Sequence, residues 1–298
     1  IHMVGIGGAG MSGIAVVLHE MGACVSGSDL RKSEVTKILE ERGIKVYTGH
    51  AEGFLSPKTE LVVVSSAIPP DNPEIQAAKR LGIPVIKRGE MLALLSNKYR
   101  GIAIAGAHGK TTTTSMISLV LEDNGLDPTF IIGGQMQRSL VNAKLGRGEL
   151  FVAEADESDA SFLRLHPHVA VVTNVEDDHL DYYQSEENIR SAFQQFVNQV
   201  LPEGFAVLFS GDRFLAGLKQ KSRARLVYYG FDDNSDYFCR EIRACGIGSA
   251  FKAYCRGQML GDVYLKVPGI HNVLNAMAAI AVGCEVGVNF EGITRALG

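Results

Sequence analysis

The chain has 298 residues, with 29 Lys+Arg against 33 Asp+Glu and a formal charge of −4. That balance argues against a nucleic-acid binder held by a broad positive field. An apolar share of 46% and a charged share of 21% describe an ordinary globular protein, of about two domains at roughly 150 residues each.

The predicted elements alternate strand and helix from the first residue. Residues 1–4 form a short buried strand, 5–10 a turn, and 11–21 a helix stopped by Gly22. Residues 23–26 start the second strand, which closes at Asp29. A polar helix over 34–42 precedes strands at 45–47 and 61–65. The continuous Leu61-Val62-Val63-Val64 run is the pattern of a parallel strand covered on both faces. Pro69, Pro70 and Pro73 stiffen a loop before a helix at 74–81 and a strand at 84–87. A polar joint at 96–100 follows the 90–95 segment, and the domain boundary is placed there, giving 1–97 and 98–298. The pattern restarts with a strand at 101–105 and continues with strands at 150–153, 168–173 and 205–209. Shorter alternating segments over 226–267 predict a small antiparallel piece, and 272–282 an Ala-rich helix.

No apolar run reaches the roughly 18 residues that span a bilayer, and no basic leader opens the chain. Five cysteines, at 24, 239, 245, 255 and 284, form neither a CxxC pair nor a zinc spacing. A cytoplasmic protein is expected, without membrane or nucleic-acid partners. The start inside an apolar strand, without Met, suggests a piece of a longer protein.

Five segments carry chemistry. Gly5-Ile6-Gly7-Gly8-Ala9-Gly10 is a GxGxxG between strand and helix, where backbone N–H groups and the helix dipole meet a pyrophosphate. Asp29 lies where a ribose hydroxyl is held. A dinucleotide is the first reading, but any nucleoside diphosphate presents the same groups, so the motif leaves an NAD-dependent oxidoreductase open. The second segment, Gly106-Ala107-His108-Gly109-Lys110-Thr111-Thr112, holds the G-K-T core of a phosphate loop, shortened because Gly106 stands three residues before Gly109. Its amides cradle phosphate, Lys110 neutralises β/γ oxygens, and the Thr111 hydroxyl can bind Mg²⁺.

Third, Glu154, Asp156, Glu157 and Asp159 crowd the end of a strand. Like charges that close need a cation or solvent, and Glu154 is a candidate Mg²⁺ ligand. Fourth, a strand empties into Thr173-Asn174-Val175-Glu176-Asp177-Asp178-His179, where His179 is a candidate metal ligand or base. Fifth, His271 or Asn272 is expected to cap the Ala-rich helix.

These motifs, in this order, resemble those of the Mur ligases, the ATP-dependent amide ligases of peptidoglycan synthesis. The residues that carry the resemblance are GIGGAGMSGIA (5–15), SGSD (26–29), NPEI (72–75), AGAHGKTTTT (105–114), EADESDASFL (154–163), TNVEDDHLD (173–181) and PGIHNVLNA (268–276). The resemblance implies an α/β chain: a Rossmann-like domain with a parallel sheet at 1–97, then a central P-loop-type ATPase domain at 98–298. The resemblance covers the first two of the family's three domains; the third, amino-acid-binding domain is expected to begin shortly after Gly298. It further implies transfer of the ATP γ-phosphoryl to the carboxylate of UDP-N-acetylmuramate, then attack by the amine of L-alanine. A recycling relative that joins a tripeptide to the same sugar nucleotide is the alternative.

By the same resemblance, Gly7, Gly8, Ala9, Gly10, Met11, Ser28, Asp29, Ser66, Ala67 and Ile68 hold the UDP-sugar. Gly106, Ala107, His108, Gly109, Lys110, Thr111, Thr112, Asn174, His271 and Asn275 hold ATP. Lys110, Glu154 and His179 act in catalysis, and Lys110→Ala is expected to abolish ATP-dependent turnover of the full-length protein while leaving folding intact. Thr111, Glu154 and His179 bind Mg²⁺, for which Mn²⁺ can substitute. Two positions depart from the family pattern: Ala107 replaces its usual Thr, and 180–200 holds no Lys to carry the carbamate of other members.

Overall fold

The computed structural model describes residues 1–133, 143–176 and 180–298. The chain divides into two compact units: Ile1–Leu95 with Thr129–Arg147, and Ser96–Pro128 with Gly148–Gly298. The segment Thr129–Arg147, inside the expected 98–298 part, therefore clusters with the chain's first residues.

The first unit runs β1 (His2–Val4), α1 (Ala9–Glu20), β2 (Ser26–Asp29), α2 (Glu34–Glu41), β3 (Lys45–Thr48), β4 (Val62–Val64), α3 (Pro73–Arg80), β5 (Val85–Lys87) and α4 (Arg88–Ser96). The strands form a parallel sheet of order β3-β2-β1-β4-β5. All three residues of β1 and of β4 are buried, as strands covered on both faces must be. The second strand begins later than expected, at Ser26. Residues 22–23 instead close α1: Gly22 takes φ +89°, and the Ala23 N–H donates to Leu18 O, a turn that glycine adopts at low cost. Helix starts follow side-chain chemistry. Ser33 and Thr36 exchange bonds in a capping box. Asn72 accepts from the Glu74 and Ile75 N–H groups, with Pro73 at the first helical position.

The second unit opens with β6 (Arg100–Ala105) and α5 (Lys110–Asp123). The strands β7 (Thr129–Ile131) and β8 (Ala143–Lys144) pair antiparallel and belong to the first unit. They pack on α1, where a Cβ on Gly13 would stand 2.8 Å from Ile131 Cγ2 and 3.3 Å from Ala143 Cβ. The second unit continues with β9 (Leu150–Glu154), β10 (Val169–Val172), α6 (Leu180–Tyr183), α7 (Glu186–Asn198), β11 (Phe205–Phe209), α8 (Arg213–Gly217) and β12 (Arg225–Gly230). It ends with β13 (Tyr237–Cys245), β14 (Gly248–Cys255), β15 (Gln258–Leu265), α9 (Ile270–Glu285) and α10 (Phe290–Leu297).

Its strand order is β15-β14-β13-β12-β11-β10-β6-β9. From β9 to β12 all neighbours are parallel, and β13–β15 pair antiparallel. The antiparallel piece expected over 226–267 thus begins only at β13. Arg225–Gly230 is a parallel strand beside β11; it alternates because Val227 and Tyr229 are buried while Leu226 and Tyr228 are half-buried. Ala276, Ala278, Ala279 and Ala281 of α9 are fully buried, and these short side chains let α9 approach α5 closely. A Cβ on Gly283 would meet Val120 Cγ1 at 3.2 Å. Phe162 lies 5.3 Å from Phe193 and 5.1 Å from Phe196, centroid to centroid, which seats α7.

Candidate functional site

In the first unit the strand order reverses between β1 and β4, and the crevice at such a reversal is where open α/β sheets bind ligands. The turn after β1 and the turn after β4 meet there. A Cβ on Gly5, whose φ is +80°, would lie 3.1 Å from Ser65 Cβ and 3.3 Å from Ile68 Cδ1. The Gly5 and Ile6 N–H groups donate to Ser28 O at 2.8 and 3.0 Å. The Gly7 N–H donates to Asp29 Oδ2 at 2.9 Å. Asp29 therefore fastens the glycine turn with one carboxylate oxygen. Gly8, Ala9, Ser66 and Ala67 are exposed, Gly7, Gly10 and Ile68 half-buried, and Met11 and Ser28 buried. The Arg88 guanidinium approaches the start of α1: a Cβ on Gly10 would stand 3.0 Å from its Nη1.

Beneath the turn lies a polar cluster that the motifs do not reveal. Glu74, His2 and Ser28 are 0% exposed. Glu74 Oε2 meets His2 Nε2 at 2.6 Å, and Oε1 meets His50 Nδ1 at 2.7 Å. Ser28 Oγ donates to both carboxylate oxygens, at 2.9 and 2.8 Å. Burial pushes the Glu74 carboxyl upward, but hydrogen bonds from His2, Ser28 and His50 and the charge of His2 outweigh it and hold it below its ordinary value. Only NPEI hinted at this residue, and its partners are far away in sequence.

In the second unit, β6, β9 and β10 are adjacent and parallel, so the second, third and fourth segments emerge at one edge. Glu154 is in register with Ile104, two residues before Gly106, and the Ala155 N–H donates to Ile104 O at 2.8 Å. Gly106 takes φ +131°, and a Cβ there would stand 2.9 Å from Asn174 O and closer still to Thr173 Oγ1. Gly109 takes φ +84° and leads into α5 at Lys110. Asn174 clamps the loop: its Oδ1 accepts from the His108 N–H at 2.9 Å, and its Nδ2 donates to His108 O at 3.0 Å. Thr173 Oγ1 also donates to His108 O, at 2.6 Å. The loop amides lie at the N-terminus of a 14-residue helix, an arrangement that could hold an anion.

Lys110 Nζ donates to Gly106 O and meets Glu157 Oε1 at 2.5 Å. Sequence reasoning did not pair these two, since the contact crosses strands. The pairing also revises the expected neutrality of Lys110→Ala toward folding, because Glu157 is 5% exposed and would be left as a buried charge. Thr111 and Thr112 are half-buried in the first turn of α5.

Asn275 is 7% exposed, with its Oδ1 accepting from Thr113 Oγ1 at 3.2 Å. It borders the loop, as a Cβ on Gly109 would stand 2.6 Å from that Oδ1. His271 is exposed. Neither His271 nor Asn272 caps α9: the N-cap is Gly269, with φ +103°, and Asn272 Nδ2 reaches back to Pro268 O at 2.7 Å. The reversal at Gly269 demands a φ that Asn or His rarely adopts, which moves the helix start upstream. His179 lies outside the described residues. Among the described residues, no three or more His, Cys, Asp or Glu side chains cluster to hold a metal ion, and no helix is long and apolar enough to cross a membrane.

A family model described as "Mur ligase family, catalytic domain" matches residues 1–100, and one described as "Mur ligase middle domain" matches residues 104–283. The chain is 54% identical over 300 residues to a UDP-N-acetylmuramate–L-alanine ligase of Syntrophomonas wolfei, covering 100% of this chain and 64% of that protein. It is 51% identical to the ligase of the same name from Aquifex aeolicus, covering 99% of this chain and 65% of that protein. This chain thus spans less than two thirds of their length. Among solved structures it is similar to the UDP-N-acetylmuramate–alanine ligase of Thermotoga maritima, with TM-score 0.89 and 32% identity over 99% of this chain and 67% of that one. A UDP-N-acetylmuramate:L-alanyl-γ-D-glutamyl-meso-diaminopimelate ligase from Neisseria also matches at TM-score 0.89, with 31% identity over 100% of this chain and 96% of that one. On the two family models, whose matches run from residue 1 to 100 and from 104 to 283, the chain belongs to the Mur ligase family.

Proposed function

We propose that this chain supplies the sugar-nucleotide and ATP sites of a ligase that joins L-alanine to the carboxylate of UDP-N-acetylmuramate, in cytoplasmic assembly of peptidoglycan precursors. The observation that carries the reading is the 106–110 loop, a glycine turn that leads into α5 from the strand next to the one ending in Glu154. Relatives at 54% and 51% identity bear that activity in their names. In this reading, residues 1–97 take the UDP-sugar at the turns after β1 and β4. Residues 98–298 take ATP, with Gly106 to Thr112, Asn174, His271 and Asn275 around it.

A carboxylate is a poor acyl donor because its oxygen is a bad leaving group. Moving the γ-phosphoryl of ATP onto it gives an acyl phosphate, which the alanine amine attacks with loss of phosphate. Two anions must approach in the first step. The Lys110 ammonium and the loop amides offset their repulsion, and a positioned cation in such sites is worth about 10³–10⁵ in rate. The Thr111 hydroxyl and Glu154 carboxylate are hard oxygen donors that suit Mg²⁺. When bound, Mg²⁺ would supply charge neutralisation at the phosphates. His179 is a further proposed ligand.

A tripeptide-adding activity is the second reading, favoured by the equal TM-score of the Neisseria ligase. An NAD-dependent oxidoreductase leaves the 106–110 loop without a role. The test is ATP binding by calorimetry to the wild type, to Glu157→Gln and to Lys110→Met/Glu157→Gln, the two variants differing only at Lys110. Saturable binding in wild type, with affinity at least about tenfold lower in the double variant than in Glu157→Gln, supports the reading. No binding in wild type, or equal affinity in the two variants, contradicts it.

A further inference from the structure

We infer that Glu157 is a positioning residue for Lys110 and that its carboxylate competes with nucleotide phosphate for the ammonium group. The inference rests on the reading that the 106–110 loop takes ATP. A lysine ammonium has three donors. One goes to Gly106 O and one to Glu157 Oε1, which leaves one for phosphate.

Glu157 is built into the fold. Its own carbonyl accepts from Tyr183 Oη at 2.6 Å and from the Ala160 N–H at 3.2 Å. Tyr183 is 8% exposed. Burial and the neighbouring Tyr182, Glu157, Asp159 and Asp156 raise its phenol, which keeps it a donor. Its carbonyl is in turn held by Asn188 Nδ2 at 2.7 Å. The main chain of Glu157 is thus anchored from α6 and α7, and its carboxylate reaches Lys110 at the loop.

Among the described residues, Glu157 Oε2 has no hydrogen-bond partner, and Lys110 is the cation paired with Oε1. The ammonium is therefore already neutralised before a nucleotide arrives. Incoming phosphate must share it with a nearby negative charge, so the carboxylate fixes the lysine and weakens ground-state binding together. A residue of purely structural value would not make ATP bind more tightly when its charge is removed.

The test is calorimetric titration of ATP into the wild-type chain, Glu157→Gln and Glu157→Asp. Glu157→Gln keeps the shape and an acceptor oxygen, and should bind ATP about tenfold tighter. Glu157→Asp keeps the charge and should stay within about threefold of wild type. Equal affinity of Glu157→Gln and wild type overturns the inference while leaving the ATP site standing. No ATP binding by wild type overturns the nucleotide reading and the competition with it. A second measurement needs no ligand. Lys110→Met should lower the thermal midpoint by orphaning Glu157, and Lys110→Met/Glu157→Gln should recover it. Lack of recovery overturns the pairing.

Discussion

Glu74→Ala should destabilise the first unit more than any surface change, and the size follows from the cluster. The carboxylate takes bonds from His2, His50 and Ser28 with no exposure of its own. Removing it leaves two imidazoles and a hydroxyl facing a void, and breaking a buried charged pair by deleting one partner costs about 3–5 kcal/mol. At roughly 3–5 °C per kcal/mol for a unit of this size, the midpoint should fall by about 9–25 °C. Circular dichroism melts of wild type, Glu74→Ala and Glu74→Gln provide the assay. Glu74→Gln keeps the volume and should fall less. The pH dependence has a definite sign. The folded carboxyl lies below its ordinary value of 4.5, so its stabilisation is complete above that pH and is lost as pH falls through the folded value. Wild type should show this acid step, and both variants should lack it. A Glu74→Ala midpoint within about 2 °C of wild type, the range of ordinary surface substitutions, would refute the reasoning.

Gly106→Ala should abolish ATP binding and lower stability by at least about 1–2 kcal/mol, read by calorimetry and denaturant melts. The added Cβ meets Thr173 Oγ1 and the Asn174 backbone at a φ of +131°; unchanged ATP affinity would contradict the loop geometry. Thiol labelling of the native chain should modify exposed Cys24 and Cys245 first. Cys239 should stay unmodified until unfolding, because burial pushes its thiol up to about 12. Cys284, raised to about 11 by burial and by the neighbouring Cys255 and Glu285, should lag the exposed pair. Mass spectrometry after timed alkylation gives the order.

The parts of the fold legible from the residues were those with local signals. The Val62–Val64 run, the glycines before α1 and α5, and the buried β10 and β11 each carry a pattern that one window contains. The strands β7 and β8 span three and two residues, too short for any period to declare itself. The helix α7 was not read, although Ile189, Phe193 and Phe196 are buried at helical spacing. Its anchor, Phe162, lies outside any window that contains the helix. The site divides the same way. The glycine turn before α5 and the acidic strand end were readable because each is one short stretch beside a strand. That Glu157 holds Lys110, that Asn174 clamps His108, and that Glu74 joins His2 to His50 depend on strand order, which no single segment encodes.

The most direct measurement is a thermal-shift titration of the chain with UDP-N-acetylmuramate, with NADH as control. A ligand at 100 times its dissociation constant adds about 2.7 kcal/mol to the folded state. The account predicts that the sugar nucleotide raises the midpoint and NADH does not. Stabilisation by NADH alone would contradict the assignment of the Gly5–Gly10 turn to a UDP-sugar, and with it the proposed ligase.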